Sequence, residues 1–386
     1  MTPRQARHGP SFWLSIGSFV ALTCAGRLAA QTEGSLPTDS VDSRALRVCG
    51  GGDLMLGSDL DTTWTFETAQ RIGRDVPALP DAAELVAPLL PLVADADIVL
   101  VNVEGAIGEG PVPPKCRAGS RFCYAFRQPP DRAAAIARFT VNSRVVGNVA
   151  NNHAMDAGEA GLSETGRLLE SAGVRVTGAD TLATPVAVGG DTIGFLGFAT
   201  AQAGPDPRDL DAVRRHVQRA VEGFGRVVVT MHMGAEGASA QRTRDTTEMF
   251  LGEDRGNPVA FARTAAEAGA AMIVGHGPHV LRAGEWWNGR LIAYSLGNLL
   301  TYGPFNMDEP RNHGGFVCAV IEPSGLVRDA ELRSTTQQRP GLVAVDSTHR
   351  AAAIVHSLST LDFPETGWSM SGYRVRPSTA GGSSRP

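Results

Sequence analysis

The chain has no run of like charge, no CxxC pair of cysteines and no internal repeat, and each absence closes off a class of protein. Its 35 basic and 40 acidic residues are interspersed and sum to a formal net charge of −5. The sequence therefore carries no basic stripe that would neutralise a nucleic-acid backbone, and nucleic acid is excluded as a partner. Without CxxC spacing there is no sign of a structural zinc site. With no repeated unit, one domain is the simplest organisation of 386 residues that are 42% hydrophobic and can bury a large core.

The N-terminus has the layout of an export signal. Arg4 and Arg7 precede an apolar stretch from Phe12 to Cys24, and Leu28-Ala29-Ala30 offers small residues for cleavage before Gln31. Residues 1–30 are thus expected to send the protein to the periplasm or outside the cell. Retained, the same stretch would anchor it, which is the one route to membrane contact. Cys24 raises a lipid-attachment reading that Ala21-Leu22-Thr23 fits poorly. Residues 31–44 read as a linker, 45–360 as the folded domain and 361–386 as a tail, partly disordered, since Ser, Gly, Pro and Arg dominate after Tyr373. In an oxidising compartment Cys116 and Cys123, flanking a short loop, are the natural disulfide pair. Cys49 and Cys318 sit in strand-like apolar runs and read as buried small hydrophobes in preference to a second bridge.

Hydrophobic patterning alternates between strands and helices. Leu46 to Cys49, Asp97 to Val103, Arg144 to Val149 and the run RVVVTMHMG read as strands, with helices expected over 81–93, 159–172, 258–268 and 347–358. Asp206-Pro207 predicts a cap and first-turn proline for a further helix reaching about Val221. Hairpins are expected at Gly189-Gly190-Asp191, at Asn288-Gly289 and around Pro323-Ser324-Gly325. Mixed βα units with hairpins argue for an α/β domain with two sheets.

Five short polar segments, GGDLMLG, NVEG, ANNHAMDAG, MHMGAE and GHGPHV, each follow one of these apolar runs. They present Asp53, Glu104, Asn152, His153, His232, His276 and His279. Carboxylate and amide oxygens suit hard cations and imidazoles suit zinc, iron and manganese, so the mixture points to a catalytic divalent-metal centre. Open α/β sheets gather ligands at the carboxyl ends of their strands, which allows residues far apart in sequence to meet. His216, His349 and His356 lie in helical stretches and are set aside, and His313 is left undecided, a loop at the site rim being its functional reading. Glu236 and Arg282 are ambiguous, and a solvated face is the default expectation for Arg282.

Taken in order, GDLML, NVEG, ANNHAMDAGEAGL, HMGAE, GHGPHV and YSLGN resemble the capsule-synthesis CapA family, over roughly Leu46 to Ile321. That family is linked to bacterial poly-γ-glutamate capsule production and belongs to the calcineurin-like metallophosphoesterase superfamily. The resemblance implies a four-layer α-β-β-α sandwich and one or two divalent ions, Mn, Zn, Fe or Mg. It implies Asp53, Glu104, Asn152, His232, His276 and His279 as metal ligands and His153 as the group that protonates a leaving oxygen. Asp156 either orients His153 or caps the helix that follows. Two departures stand out. Met55 occupies a position where the superfamily carries a histidine, and Gly277 stands where relatives often have another. Two readings stay open: an exported metal-dependent hydrolase acting on a phosphoester or on poly-γ-glutamate, and a non-catalytic module that holds an anionic polymer for capsule-export machinery.

Overall fold

The computed structural model describes residues 44–58, 78–111, 124–140, 144–201 and 204–378. The expected export signal, almost all of the linker, and Cys116 and Cys123 lie outside the described residues.

In chain order the strands are β1 Leu46–Met55, β2 Ile98–Val103, β3 Arg144–Asn148, β4 Arg175–Thr177, β5 Thr184–Val188, β6 Asp191–Ala199, β7 Val227–His232 and β8 Met272–His276. They continue as β9 Gly284–Trp287, β10 Arg290–Ala293, β11 Asn298–Thr301, β12 His313–Ile321, β13 Val327–Gln338, β14 Leu342–Val345, β15 Ser369–Ser371 and β16 Arg374–Arg376. The helices are α1 Ala82–Val86, α2 Asp131–Ala137, α3 Gly158–Ser171, α4 Leu210–Phe224, α5 Pro258–Glu267 and α6 Arg350–Asp362. Ten strands form one sheet in the order β15-β16-β13-β12-β1-β2-β3-β4, with β11 beside β1 and β14 beside β13. Six form a second, β9-β10-β8-β7-β6-β5, and two short pairs stand apart, Ala106–Ile107 with Arg127–Gln128 and Met249–Phe250 with Glu253–Asp254.

Strand periodicity explains how these sheets become four layers. Along β2, Ile98 and Leu100 point into one buried cluster and Val99, Val101 and Val103 into another, because successive side chains leave opposite faces. The first cluster lies between the sheets and joins Val48, Leu100 and Val146 to Phe195, Val228 and Val274. The second packs Leu85, Ile136 and Leu169 of α1, α2 and α3 against the ten-stranded sheet. A third packs Val213, Val217 and Phe261 of α4 and α5 against Leu196, Val229 and Ile273 of the six-stranded sheet. Each fully buried valine or leucine contributes about 1.5–3 kcal/mol relative to exposure. The α-β-β-α sandwich implied by the family resemblance is what forms. Gly50 keeps the two sheets close, since a Cβ there would stand 2.8 Å from Cγ2 of Val274.

Several local expectations need correction. Cys49 and Cys318 are bridged, not free: β1 and β12 are antiparallel neighbours with these two residues directly opposite each other. That pairing joins the two ends of the domain, a sequence separation of 269 residues. The helix expected after Asp206 starts later, at Leu210, because Asp209 accepts from the Ala212 amide while Asp206 is occupied by Arg208. The stretch expected as one helix over 81–93 tightens into a 3₁₀ helix at Ala87–Val93, where Pro88 and Pro91 lack the amide hydrogens an α-helix needs. Beyond Tyr373 the chain is not wholly a tail, since β16 pairs with β13 and Val375 is buried. Among the described residues no helix is long and apolar enough to cross a membrane.

Candidate metal centre

Each sheet ends in a polar rung. Asp53, Asn102 and Asn148 are register neighbours across β1, β2 and β3. Asn102 Nδ2 donates to Asp53 Oδ1 at 2.9 Å, and Asn148 Nδ2 donates to Asn102 Oδ1 at 2.9 Å. On the other sheet His232 and His276 are register partners at the ends of β7 and β8. Because both rungs lie at carboxyl ends, the sandwich brings them face to face, with His276 Nδ1 3.6 Å from Asp53 Oδ1. Asn102 Nδ2 also lies 3.3 Å from His232 Nδ1, so one amide touches both rungs.

The loops that continue these strands complete the cluster. Glu104 follows β2, its amide held by the Leu54 carbonyl at 3.0 Å. His279 follows β8 in a left-handed conformation, φ 56°, which turns its ring back toward β1. Its Nδ1 lies 3.0 Å from Asp53 Oδ2 and 3.1 Å from Asn298 Oδ1, and its Nε2 is 3.5 Å from Glu104 Oε1. Donor atoms of Asp53, Glu104 and His279 all fall within 4.8 Å of one another. The structure thus brings together five of the residues singled out from sequence: Asp53, Glu104, His232, His276 and His279. Asn152 is half-buried on the loop after β3. Its neighbour Asn151 ties that loop to the rung, donating to the Val103 carbonyl at 2.9 Å and to Asn102 Oδ1 at 3.3 Å.

His153 and Asp156 form their own pair, Nδ1 to Oδ2 at 2.7 Å, with the imidazole tilted against Phe126 at 4.3 Å between ring centroids and 37° between planes. Asp156 also accepts the Phe126 amide at 2.7 Å. Of the two roles open to Asp156, orienting His153 is the one adopted, since the cap position of α3 is Ala157 with no side-chain cap. His313 is buried at the start of β12, 3.6 Å from Glu309. Arg282 is not on a solvated face: it is 1% exposed, with both Nη atoms on Glu248 at 2.8 Å.

The two departures now have physical accounts. Met55 is buried, and its sulfur accepts the Gly57 amide at 3.1 Å. Gly277 adopts φ 105°, and a Cβ there would lie 3.2 Å from the His232 ring, so a side chain at that position would be strained by its backbone and would crowd the His232 ring. Its amide instead faces Asp53 Oδ2 at 3.4 Å.

Charge in the pocket is unevenly held. Burial alone would push Asp53 up, but the hydrogen bond from His279 and the charges of His279, His232 and His276 hold it below the ordinary carboxylate range. Burial raises Glu104 to about 8; His279 opposes the shift, while the negative charges of Asp53 and Glu236 add to it. Burial opposes protonation of His279, yet Glu104, Asp53 and Glu236 together raise it well above its usual value. His276 is lowered to about 4 by burial, with Asp53 acting against the shift, and burial lowers His232 strongly as well. Two imidazoles are therefore kept neutral, the form in which histidine offers a lone pair to a cation.

Hydrogen bonding reinforces this. Glu104 Oε1, His232 Nε2 and both ring nitrogens of His276 are buried without a hydrogen-bond partner. Buried polar atoms are nearly always satisfied in folded proteins, and leaving one unpaired is costly. A divalent cation is the ligand that this donor chemistry fits, with Asp53, Glu104, His232, His276 and His279 as the groups to hold it.

Asn148, Asn102 and Asn298 are residues that the sequence reading passed over, and the last two lie within its own motifs. Both were within sight, since Asn102 opens NVEG and Asn298 closes YSLGN. An asparagine inside an apolar strand pattern, where water cannot serve its amide, was the available signal.

Fold and site together define a four-layer α/β protein with a candidate divalent-metal centre where its strands end. Residues 47–302 match the family described as Bacterial capsule synthesis protein PGA_cap, and the chain belongs to that family. It is 32% identical over 170 residues to the PGA biosynthesis protein CapA of Bacillus subtilis (strain 168), covering 40% of this chain and 41% of that protein. It is 26% identical over 298 residues to a probable polyglutamine synthesis accessory protein of Mycobacterium tuberculosis, covering 65% of this chain and 73% of that one. The match thus spans less than half the length of the Bacillus subtilis relative. Among solved structures, a putative 5'-nucleotidase from Staphylococcus aureus is similar at 13% identity with a TM-score of 0.40, covering 78% of this chain and 53% of that one.

Proposed function

We propose that this chain is an exported, metal-dependent hydrolase of capsule or poly-γ-glutamate metabolism, acting on a phosphoester or on the anionic polymer itself. The observation that carries the reading is the set of buried imidazole nitrogens on His232 and His276 that no protein group satisfies, beside a cluster of carboxylates and His279. A bound cation supplies an activated water and stabilises negative charge developing on a tetrahedral centre. The protein's own groups do the rest. Asn102 fixes the orientation of Asp53 and faces His232. Asp156 holds the Nδ1 side of His153 and so fixes its ring, and His153 is the group that exchanges a proton with a leaving oxygen, a contribution of about 10²–10⁴ in rate. The Cys49–Cys318 bridge suits an oxidising compartment and supports export.

The second reading, a non-catalytic module that holds an anionic polymer beside the export machinery, is favoured by Met55, which places a thioether occupied by its own backbone where a nitrogen ligand would add to the site. Elemental analysis of the purified chain, joined to a panel of phosphoesters and γ-glutamyl oligomers, separates the two. Near-stoichiometric metal with turnover that disappears in His153→Ala supports the hydrolase. Polymer binding that survives His153→Ala, with no product released by either protein, removes it.

A further inference from the structure

We propose that Arg255 is the anchor for an oxyanion of the substrate, carboxylate or phosphate, at the edge of the metal centre. The proposal rests on the reading of the pocket as one that receives an anionic group. Arg255 is 4% exposed, and of its three nitrogens only Nη1 is engaged, donating to Glu236 Oε1 at 2.7 Å. Nε and Nη2 are buried with no partner. Those two N–H groups point the same way and make up the side of a guanidinium that accepts two oxygens of a carboxylate or phosphate at once.

The same molecule shows that side filled elsewhere. Arg263 sets Nε and Nη2 on Glu285 at 3.2 and 2.7 Å, Arg333 sets them on Glu331 at 3.2 and 2.7 Å, and Arg208 sets them on Asp206. Among the described residues no carboxylate takes that side of Arg255. A purely structural ion pair would not leave two donors of a buried cation unsatisfied. Arg282, by contrast, commits both Nη atoms to Glu248 and leaves only Nε without a partner, so it offers no two-pronged side.

Position connects Arg255 to the centre. Glu236, which holds Nη1, extends its other oxygen to 3.9 Å from His279 Nε2. The backbone is tied in as well, since the Gly234 amide, two residues beyond His232, donates to the Arg255 carbonyl at 2.9 Å. A substrate with its scissile bond at the cations and an acidic group a short distance away would satisfy both features.

Calorimetry on the full chain, manganese-loaded and after chelation, tests this with inorganic phosphate and with a tri-γ-glutamate peptide as probes. Arg255→Lys keeps the charge but loses the two-pronged side, and binding is expected to weaken about tenfold or more. Weakening for phosphate alone assigns the site to a phosphoryl group, for the peptide alone to a side-chain carboxylate, and for both to either oxyanion. Equal affinity of wild type and Arg255→Lys for both probes overturns the proposal. If Arg255→Lys does not fold, Glu236→Gln decides: removing the competing carboxylate raises affinity for the probe that binds, and no rise overturns the idea. Metal content, read separately, reports on the hydrolase reading. A chain that holds no metal yet shows the Arg255 dependence after chelation sinks that reading and leaves this one standing.

Discussion

Two groups of buried acids in this molecule live under opposite conditions. Glu285 on β9 is fully buried, and its oxygens receive Arg263 Nε and Nη2, the Tyr294 hydroxyl and the Thr366 hydroxyl. Arg263 in turn lies 4.3 Å over the Trp287 ring. Every charge there is answered by the protein, and the network ties β9 and β10 to α5 and to the segment after α6. At the strand ends, Glu104 Oε1 and the nitrogens of His276 lack any hydrogen bond from the protein. The first arrangement holds the fold together, whereas the second stores polarity that only a ligand satisfies.

That contrast can be broken by substitution. The largest effect is expected from His232→Ala, which should abolish bound metal and turnover while leaving thermal unfolding nearly unchanged; a variant that keeps full metal by elemental analysis would remove His232 from the centre. Glu285→Ala should do the reverse, costing about 3–5 kcal/mol in denaturant unfolding by stranding Arg263, with metal content retained in the folded fraction. Asn102→Ala lies between them, because it orients a ligand without being one, and a loss of about 10–100-fold in metal affinity is expected by competition with a chelator. The smallest effect is a pH dependence. Glu104 titrates near 8 in the metal-free protein, so it is protonated at neutral pH and must give up that proton to a cation. Metal affinity should therefore climb with pH by up to about tenfold per unit toward 8 on account of Glu104, with His279, itself raised by the neighbouring carboxylates, adding to the climb because it too must lose a proton to bind a cation. The stability of the metal-free chain has the opposite slope from this group, falling as pH rises from the unfolded carboxyl value of 4.5 toward 8, because the folded state binds the extra proton. Chemical unfolding at several pH values, with and without manganese, measures both slopes.

Much of this was legible before any coordinates. The run Asp97 to Val103 announced a buried strand, Asn288-Gly289 its hairpin, and the polar segments after the strands the contents of the pocket, because periodicity and turn chemistry are local properties. What escaped was whatever depended on which strands become neighbours. Cys49 and Cys318 looked like two separate hydrophobic cysteines until β1 and β12 were placed side by side. Arg282 looked like a surface residue until Glu248, 34 positions earlier, was found holding both of its Nη atoms. Asn102 looked like an ordinary strand residue until the register set it between Asp53 and His232.

By itself, then, the sequence determined the chemical inventory and the layer pattern: strands that are apolar at successive residues must be covered on both faces, and glycine-flanked acids and histidines must sit where those strands stop. Only the tertiary structure decided which of the acids and histidines share a pocket, which imidazoles stay neutral, and which guanidinium keeps an open side. Those properties arise from distances between side chains on different sheets and from the loss of water around them, and neither quantity exists until the two sheets have packed.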